Sequence, residues 1–491
     1  MNDESMGKKS ISHFDLFFYE KHFSLFILYS TFICRIFVLV LQLTSMTATN
    51  KQILNIAIPS IITNITVPLL GLVDVAIVGH IGDAAYISAI AIGSMLFNII
   101  YWVFGFLRMG TSGMTAQAYG QRNFSEMWQL LVQSMTVAMG VAFIFEPLQY
   151  PVREAGLWFM NTPEASRPLV RDYFNICIWG APAMLGLYGL SGWYIGMQNT
   201  RIPMLVSILQ NVVNILMSLL LVFGLEMKIK GVATGTLIAQ WVGFGVALLF
   251  WYVNYRRHFR RTGLQENKDT RLQVSSFPRS LVPSFPRFFS VNRDIFLRTI
   301  ALVAVNTFFI SAGAKQGSLI LAVNTLLMTL FTLYSYFLDG FAYAGEAVGG
   351  RYWGSKQLQP FREVTRGLFL WGGGVMLLFT VIYAIGGAQF LHLLTNNEDV
   401  IRASAAYFPW ALVIPLCGLA AFIFDGLFIG MTATRGMLIS CVTATVVFFV
   451  FYVLLEPYWK NHALWLAFVL FLFTRGFVQY LLFRKATKKI S

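Results

Sequence analysis

Charged side chains are scarce in this chain. Asp, Glu, Lys and Arg make up 12% of its 491 residues and apolar types make up 57%, whereas about a quarter of the residues of a soluble domain are charged. The mean hydropathy is +0.65. This composition excludes an ordinary soluble protein and predicts one that crosses a lipid bilayer several times.

Cysteine and histidine are also few. The four cysteines lie singly in apolar segments and the six histidines are scattered, as expected of small buried thiols rather than of disulfides or metal ligands. The sequence has no Walker loop, His-Glu-x-x-His or Gly-x-Ser-x-Gly motif, so an intramembrane enzyme is disfavoured and we expect no bound metal or organic cofactor. The cysteines are Cys34, Cys177, Cys417 and Cys441.

Twelve apolar segments follow one another from residue 53 onward, each long enough for a helix that crosses the hydrocarbon core. We therefore predict an all-α polytopic membrane protein with twelve transmembrane helices in two six-helix lobes. The predicted spans are 53–79, 85–112, 127–149, 169–195, 203–225, 231–255, 295–314, 318–345, 365–385, 403–430, 436–456 and 463–483.

Polar stretches divide the chain around these spans. For residues 1–46 two interpretations stand: an extra apolar or interfacial helix, or a stretch upstream of a true translation start at Met46, which we favour. The longest polar stretch separates the sixth span from the seventh. The predicted divisions are an N-terminal extension, 1–46; an N-terminal lobe, 47–255; a basic linker, 256–293; a C-terminal lobe, 294–485; and a basic tail, 486–491.

Basic residues concentrate in alternate loops, in the linker and in the tail. Because Lys and Arg accumulate in cytoplasmic loops, we expect both ends of the twelve-helix core to face the cytoplasm. The same rule accounts for the formal net charge of +14, so the basic linker predicts contact with lipid headgroups rather than with nucleic acid.

The two halves look like copies of each other. Residues 192–201 read GWYIGMQNTR and residues 426–435 read GLFIGMTATR, six identities in ten positions at an offset of 234. At a nearby offset of 232, Asp74 corresponds to Asn306. Halves with an even number of spans start on the same side of the membrane, which predicts parallel repeats with a substrate cavity between or within the lobes.

One full charge, Asp74, lies inside the first span, which also contains Pro59, Pro68 and Gly71. A carboxylate at membrane depth is rare and usually lines a cavity or an ion path. An acid beside a proline kink can act as a movable, protonatable group. The alternative interpretation places Asp74 near the helix end, in contact with headgroups.

The second half carries Asp339, Glu346 and Asp425 within its predicted spans. One interpretation makes them the polar lining of a substrate path that attracts cationic or zwitterionic compounds. The other is structural: they cap a helix break or pair with Arg108, which lies well inside the second span. The two interpretations stand evenly for Asp339 and Glu346, and the first is favoured for Asp425.

Three segments together resemble the multidrug and toxic compound extrusion (MATE) transporters, and more closely their DinF branch. They read VPLLGLVDVAIVGH, YFLDGFAYAGEAVGGRYWGS and FIFDGLFIGMTATRGM, and the resemblance covers about residues 47–485. It implies a secondary antiporter of the bacterial inner membrane that exports small molecules in exchange for protons or sodium ions. We expect it to act as a monomer.

The resemblance also implies a cation site in the N-terminal lobe, built from an acid on the first span, an Asn-x-x-x-Asp on the fifth and a Thr on the sixth. These positions fall on Asp74, Asn214, Ser218 and Thr236. The second carboxylate is therefore replaced by Ser218. This loss favours proton coupling through Asp74 over sodium coupling.

Two further alternatives keep a membrane protein but change its activity. Related flippases carry lipid-linked precursors, yet the intramembrane charges noted here are mainly acidic, which disfavours an anionic cargo. A channel is disfavoured because duplicated halves with internal acids suit alternating access better than a continuous pore.

Overall fold

The computed structural model is helical wherever it describes the chain, with short turns and no strand in those residues. The predicted extension 1–46, with Cys34, lies outside the described residues. The described ranges are 47–79, 84–160, 162–269, 281–395 and 397–488.

Sixteen α-helices occupy these ranges. They are α1 Ala48–Gly79, α2 Ala84–Val103, α3 Phe106–Gly120, α4 Phe124–Phe145, α5 Gln149–Phe159, α6 Arg167–Cys177, α7 Ala181–Gly196, α8 Arg201–Leu219, α9 Lys228–Asp269, α10 Leu281–Lys315, α11 Ser318–Ala344, α12 Gly350–Gly354, α13 Leu358–Leu394, α14 Glu398–Gly430, α15 Thr434–Trp459 and α16 Asn461–Lys488. A 3₁₀ turn, Ile178–Gly180, joins α6 to α7, and π-helical turns, Leu220–Gly224 and Gly345–Gly349, follow α8 and α11.

Eleven helical stretches of the described chain are long and apolar enough to cross a membrane. Helix α1 occupies the place of the predicted first span, and its 32 residues extend about 48 Å at 1.5 Å per residue. The all-α, two-lobed membrane architecture predicted from the sequence is therefore confirmed. The second span is built from α2 and α3, which are separated by a short turn.

The stretch predicted as a linker is helical at both of its ends. Helix α9 continues from the sixth span to Asp269, and α10 begins at Leu281, well before the predicted seventh span. Arg, Gln, Glu and Lys are good helix formers, so a basic, polar composition does not stop a helix that leaves the membrane. Pro286 lies in the second turn of α10, inside the helix, where it removes one backbone hydrogen-bond donor.

The backbone repeats at the offset that the sequence predicts. Non-glycine residues with positive φ occur at Arg122 (57°) and Lys356 (58°), and 356 − 122 = 234. Gln198 (63°) and Thr432 (50°) are separated by the same 432 − 198 = 234. Residues other than glycine rarely adopt a positive φ. The recurrence of this conformation at one spacing identifies the two lobes as copies of the same fold.

Equivalent glycines let equivalent helices touch in each lobe. A Cβ on Gly192 would lie 2.3 Å from the carbonyl oxygen of Arg108, and one on Gly426 would lie 2.2 Å from that of Ala342. Both pairs of positions are again 234 apart (426 − 192 and 342 − 108). Small residues allow this backbone-to-backbone approach between membrane helices.

The lobes pack together at one end of the bundle. There Gln117 Nε2 donates to the Gly430 carbonyl (2.9 Å), and Gln198 Nε2 donates to that of Ala347 (2.7 Å). A Cβ on Gly120 would lie 2.0 Å from the Arg351 carbonyl oxygen. We call this the closed end; its loops are those that the charge pattern predicts to be cytoplasmic. Helix α1 also packs against α11 and so joins the two lobes.

Gly426→Ala should destabilise the protein by about 1–3 kcal/mol, because the new methyl group meets main chain that cannot move aside. Gly374→Ala, in α13, is the matched control: a Cβ there meets nothing within 4 Å, and alanine is the better helix former. Thermal unfolding of the purified variants measures both effects. Equal melting temperatures would contradict the close approach at Gly426.

Candidate functional site

Asp74 lies inside the N-terminal lobe. Its side chain is 6% exposed, and Oδ1 has no hydrogen-bond partner among the described residues. Tyr173 and Cys177, at the end of the neighbouring α6, are close enough to interact electrostatically with the carboxylate. These surroundings favour the internal position over the headgroup contact that the sequence left open.

Three of the other predicted residues meet at the seam between α8 and α9. Asn214 Nδ2 donates to Thr236 Oγ1 (2.9 Å), which itself donates to the Val232 carbonyl (3.0 Å). Ser218 lies one turn beyond Asn214 and packs against Gly235, where a Cβ would come within 2.5 Å of Ser218 Oγ. Asn214 Oδ1 and Ser218 Oγ are buried without a hydrogen-bond partner among the described residues.

Helices α1 and α8 run side by side in the same direction. Thr200 Oγ1, just before α8, donates to the Ile56 carbonyl (3.2 Å). Further along, Asn211 Nδ2 donates to the Thr66 carbonyl (2.9 Å). The two contacts are separated by ten residues on α1 (66 − 56) and by eleven on α8 with its cap (211 − 200). The two helices therefore rise by nearly the same distance between the contacts.

Because the two helices are in this register, Asp74 lies at about the same height along α1 as Ser218 does along α8. Asp74 is eight residues beyond Thr66 (74 − 66), and Ser218 is seven beyond Asn211 (218 − 211), while both helices rise 1.5 Å per residue. Asp74 therefore lies beside the polar seam, and Cys177 Sγ, which donates to the Ala233 carbonyl (3.7 Å), ties its surroundings to α9.

The polar seam and Asp74 leave three buried oxygens without a donor: Asp74 Oδ1, Asn214 Oδ1 and Ser218 Oγ. A buried acceptor with no partner costs about 1–3 kcal/mol. A proton on the carboxylate, a water molecule or a small cation would each satisfy these atoms. Of these three oxygens only Asp74 Oδ1 belongs to an ionisable group, so one positive charge would neutralise the set.

Glu346 contacts the N-terminal lobe directly. Ser112 Oγ donates to its Oε2 (2.5 Å), and Arg108 Nη1 lies 3.3 Å from the same oxygen. Glu346 is 1% exposed and lies in the π-helical turn, a local distortion that often marks functional positions. The Arg108 guanidinium also stacks 4.1 Å from the Tyr343 ring centroid. The contacts thus support the structural interpretation of Glu346, an ion pair between the lobes.

Asp425 is held within the C-terminal lobe by three donors. Arg298 donates to Oδ2, Arg475 Nη2 donates to the same oxygen (2.9 Å), and Gln479 Nε2 donates to Oδ1 (2.5 Å). Both arginines are buried. These contacts favour a structural role over the substrate path that the sequence favoured. The sequence signal that could have revealed the partners is the presence of an arginine inside each of the seventh and twelfth spans.

Asp339, on α11, is half-buried, and no hydrogen bond joins it to another described residue. It lies close enough to Arg108, Arg298 and Arg475 to interact with them electrostatically. Asn306 Nδ2 instead donates to the Leu302 carbonyl of its own helix (2.9 Å), with no hydrogen bond to the other candidate residues. Of the three intramembrane acids predicted for this lobe, Asp339 is thus the one that no hydrogen bond or ion pair joins to another described residue.

The charges of the membrane interior are more balanced than the sequence suggested. The expectation that they are mainly acidic is corrected by Arg298 and Arg475, which offset Asp425, while Arg108 offsets Glu346. Pairing lowers the free-energy cost of burying a charge. An acidic interior therefore no longer argues against an anionic cargo.

Two duplicated six-helix lobes, joined at one end and enclosing a buried, unpaired acid, define a multi-pass membrane transporter. The MatE family model matches residues 59–220 and 295–454, and the chain belongs to that family, whose members are transporters rather than enzymes. It is 34% identical to the DNA damage-inducible protein F of Escherichia coli over 441 residues, which cover 90% of this chain and 93% of that protein.

A further relative and a solved structure are also similar to this chain. The chain is 24% identical over 364 residues to the probable multidrug resistance protein NorM of Thermotoga maritima, covering 72% of this chain and 74% of that one. A solved structure described as the outward-facing conformation of a multidrug resistance MATE family transporter superimposes with a TM-score of 0.78 at 17% identity. That likeness, over 90% of this chain and 97% of the other, concerns the fold.

Asp425→Asn should destabilise the protein by about 3–5 kcal/mol, because it leaves two buried arginines without their anion. Asp339→Asn is the matched control, since the same substitution there breaks no hydrogen bond to a described residue. The melting temperatures of the two purified variants make the comparison. A stable Asp425→Asn protein alongside an unstable Asp339→Asn protein would reverse the assignment of the two acids.

Proposed function

We propose that the protein is a proton-coupled exporter of cationic or zwitterionic drug-like compounds, with Asp74 as the group that carries the proton. The observation that supports this most directly is the unpaired, buried carboxylate beside a polar seam in which Ser218 replaces a second acid. One proton neutralises one carboxylate and removes the cost of burying its charge.

Sodium coupling is the second candidate. Asp74 Oδ1, Asn214 Oδ1 and Ser218 Oγ are buried oxygens without partners among the described residues, and oxygen atoms are the ligands that hard cations prefer. Only one of the three belongs to a charged group. A proton needs a single such oxygen, whereas a sodium ion needs several arranged around it, so the composition of the pocket supports the proton.

Coupling requires that Asp74 influence the contact between the lobes, and α1 provides the connection. Asn64 Nδ2 donates to the Tyr336 carbonyl of α11 (3.1 Å). A Cβ on Gly340 would come within 2.3 Å of the Ile61 side chain. A shift of α1 that follows protonation would therefore act directly on the interface between the lobes, in the manner of repeats that rock against each other.

We further propose that the closed end faces the cytoplasm of a bacterial cell and that the protein acts as a monomer in the inner membrane. The charge pattern supports a cytoplasmic position for the loops of the closed end, and closure there would correspond to an outward-open state. In that state Asp339, half-buried beside Arg108, offers an acidic and a basic group to a zwitterionic substrate.

Asp74→Asn should abolish efflux driven by a pH gradient, because the amide cannot take up and release a proton. The measurement is export of a cationic dye from proteoliposomes, with proton and sodium gradients imposed separately. Asp399→Asn, at an exposed acid in the first turn of α14, is the control and should keep parental activity. Full proton-driven efflux in Asp74→Asn would disprove the assignment, and efflux by the parent driven only by sodium would select the second candidate.

A further inference from the structure

A groove of about 960 Å³ opens at the closed end of the C-terminal lobe, on the outside of the bundle. It lies between α10 and α16 and reaches the start of α15, and its size is typical of a small-ligand site. The groove is separate from Asp74 and the polar seam, and none of the residues proposed for coupling or for substrate lines it.

The lining of the groove carries an excess of positive charge. Its basic residues are Arg287, Arg293, Arg435 and Lys485, and its single acid is Asp294. Arg293 pairs with Asp294 (3.2 Å), and Thr434 Oγ1 donates to the other oxygen of that carboxylate (3.2 Å). The one acid is therefore already satisfied by its neighbours.

The remaining basic groups are available. Arg287 bonds to the other lobe, through Gln117 Oε1 (2.9 Å) and Glu126 Oε1 (3.5 Å), while half of its side chain stays exposed. Arg435 and Lys485 are exposed, and no hydrogen bond or ion pair joins their side chains to another described residue. At least two cationic side chains thus face the groove without an anion.

The part of the groove that lies deeper in the membrane is apolar. Leu297, Leu438 and Leu482 form part of it. Leu297 is 42% exposed and lies four residues beyond Arg293 on α10, about 6 Å further into the membrane. Exposed apolar residues continue the same surface at Ile300 and Ile439. Charge at the rim and aliphatic side chains below it match the two parts of a phospholipid.

The duplication separates this groove from the general enrichment of basic residues in cytoplasmic loops. At the offset of 234, Arg435 corresponds to Arg201 (435 − 201), whereas Lys485 corresponds to Trp251 (485 − 251). Trp251 stacks on Trp128 with ring centroids 5.3 Å apart. The equivalent face of the N-terminal lobe therefore carries an aromatic pair in place of the lysine, so the fold itself does not require the basic cluster.

We propose that this groove binds the phosphate headgroup of an anionic phospholipid from the adjoining leaflet, with an acyl chain lying along Leu297, Leu438 and Leu482. Basic pockets between transmembrane helices bind such headgroups in other membrane proteins, and each Lys or Arg near the membrane surface contributes attraction to them. The site is independent of the coupling ion and of the substrate.

The test measures phosphatidylglycerol retained by the purified protein in native mass spectrometry, with phosphatidylethanolamine as the zwitterionic comparison. The double substitution Arg435→Gln and Lys485→Gln should weaken phosphatidylglycerol binding on the order of 25-fold, about fivefold for each charge removed. Phosphatidylethanolamine binding should not change. Neither side chain has a hydrogen bond or ion pair to a described residue, so the variant should keep the melting temperature of the parent.

The matched control is the double substitution Arg201→Gln and Arg484→Gln. It removes the same charge from the repeat-equivalent position and from the residue next to Lys485, and neither residue lines the groove. It should leave phosphatidylglycerol binding unchanged. Equal losses in both variants, or a parent that prefers neither lipid, would overturn the proposal. Retention of inorganic phosphate by the parent without any retention of phosphatidylglycerol would also overturn it, because that result would identify a site for a free anion.

Discussion

A carboxylate inside a bilayer needs a cation, a proton or water to offset the loss of its hydration. The buried acids of this chain differ in whether another residue meets that need. Glu346 meets it through Arg108 in the other lobe. Asp425 meets it through two buried arginines of its own lobe. Neither Asp74 nor Asp339 has a hydrogen bond or ion pair to a described residue, although Arg108, Arg298 and Arg475 lie near Asp339. A change of charge at either acid would therefore break no hydrogen bond or ion pair of the described fold.

The two lobes share one backbone scaffold but differ in their buried charges. The glycines that allow close helix contact recur at both copies, as do the residues with positive φ, so the scaffold is symmetric. The charges are not. Ser112 and Glu346 occupy equivalent positions (346 − 112 = 234), yet one is neutral and the other ionic, and they bond to each other. The C-terminal lobe is fixed by buried ion pairs, whereas the N-terminal lobe keeps a polar seam with unpaired oxygens.

Local patterns were enough to predict the spans and the repeat, because hydrophobic length and an ungapped match of ten residues are both visible in the sequence. The partners of Asp425 were not predictable in this way, since they lie 127 and 50 residues from it and depend on how three helices pack. The helical ends of the linker were missed for a different reason: polar composition indicates solvent exposure but does not exclude a helix. The neighbours of Asp74 became visible only once α1 and α8 were in register.

Helix α1 explains why an event at Asp74 cannot stay local. Asn64, which bonds to α11 of the other lobe, is ten residues from Asp74 (74 − 64) on one uninterrupted helix, about 15 Å at 1.5 Å per residue. Pro68 and Gly71 lie between the two residues, and a proline is a common point of helix bending. A shift at the acid that bends or tilts α1 would therefore move the contact with α11 as well. Because cores are close-packed, that contact responds by repacking between discrete arrangements rather than by gradual deformation. Under the proposed coupling, a single acid would in this way control which end of the two lobes is closed.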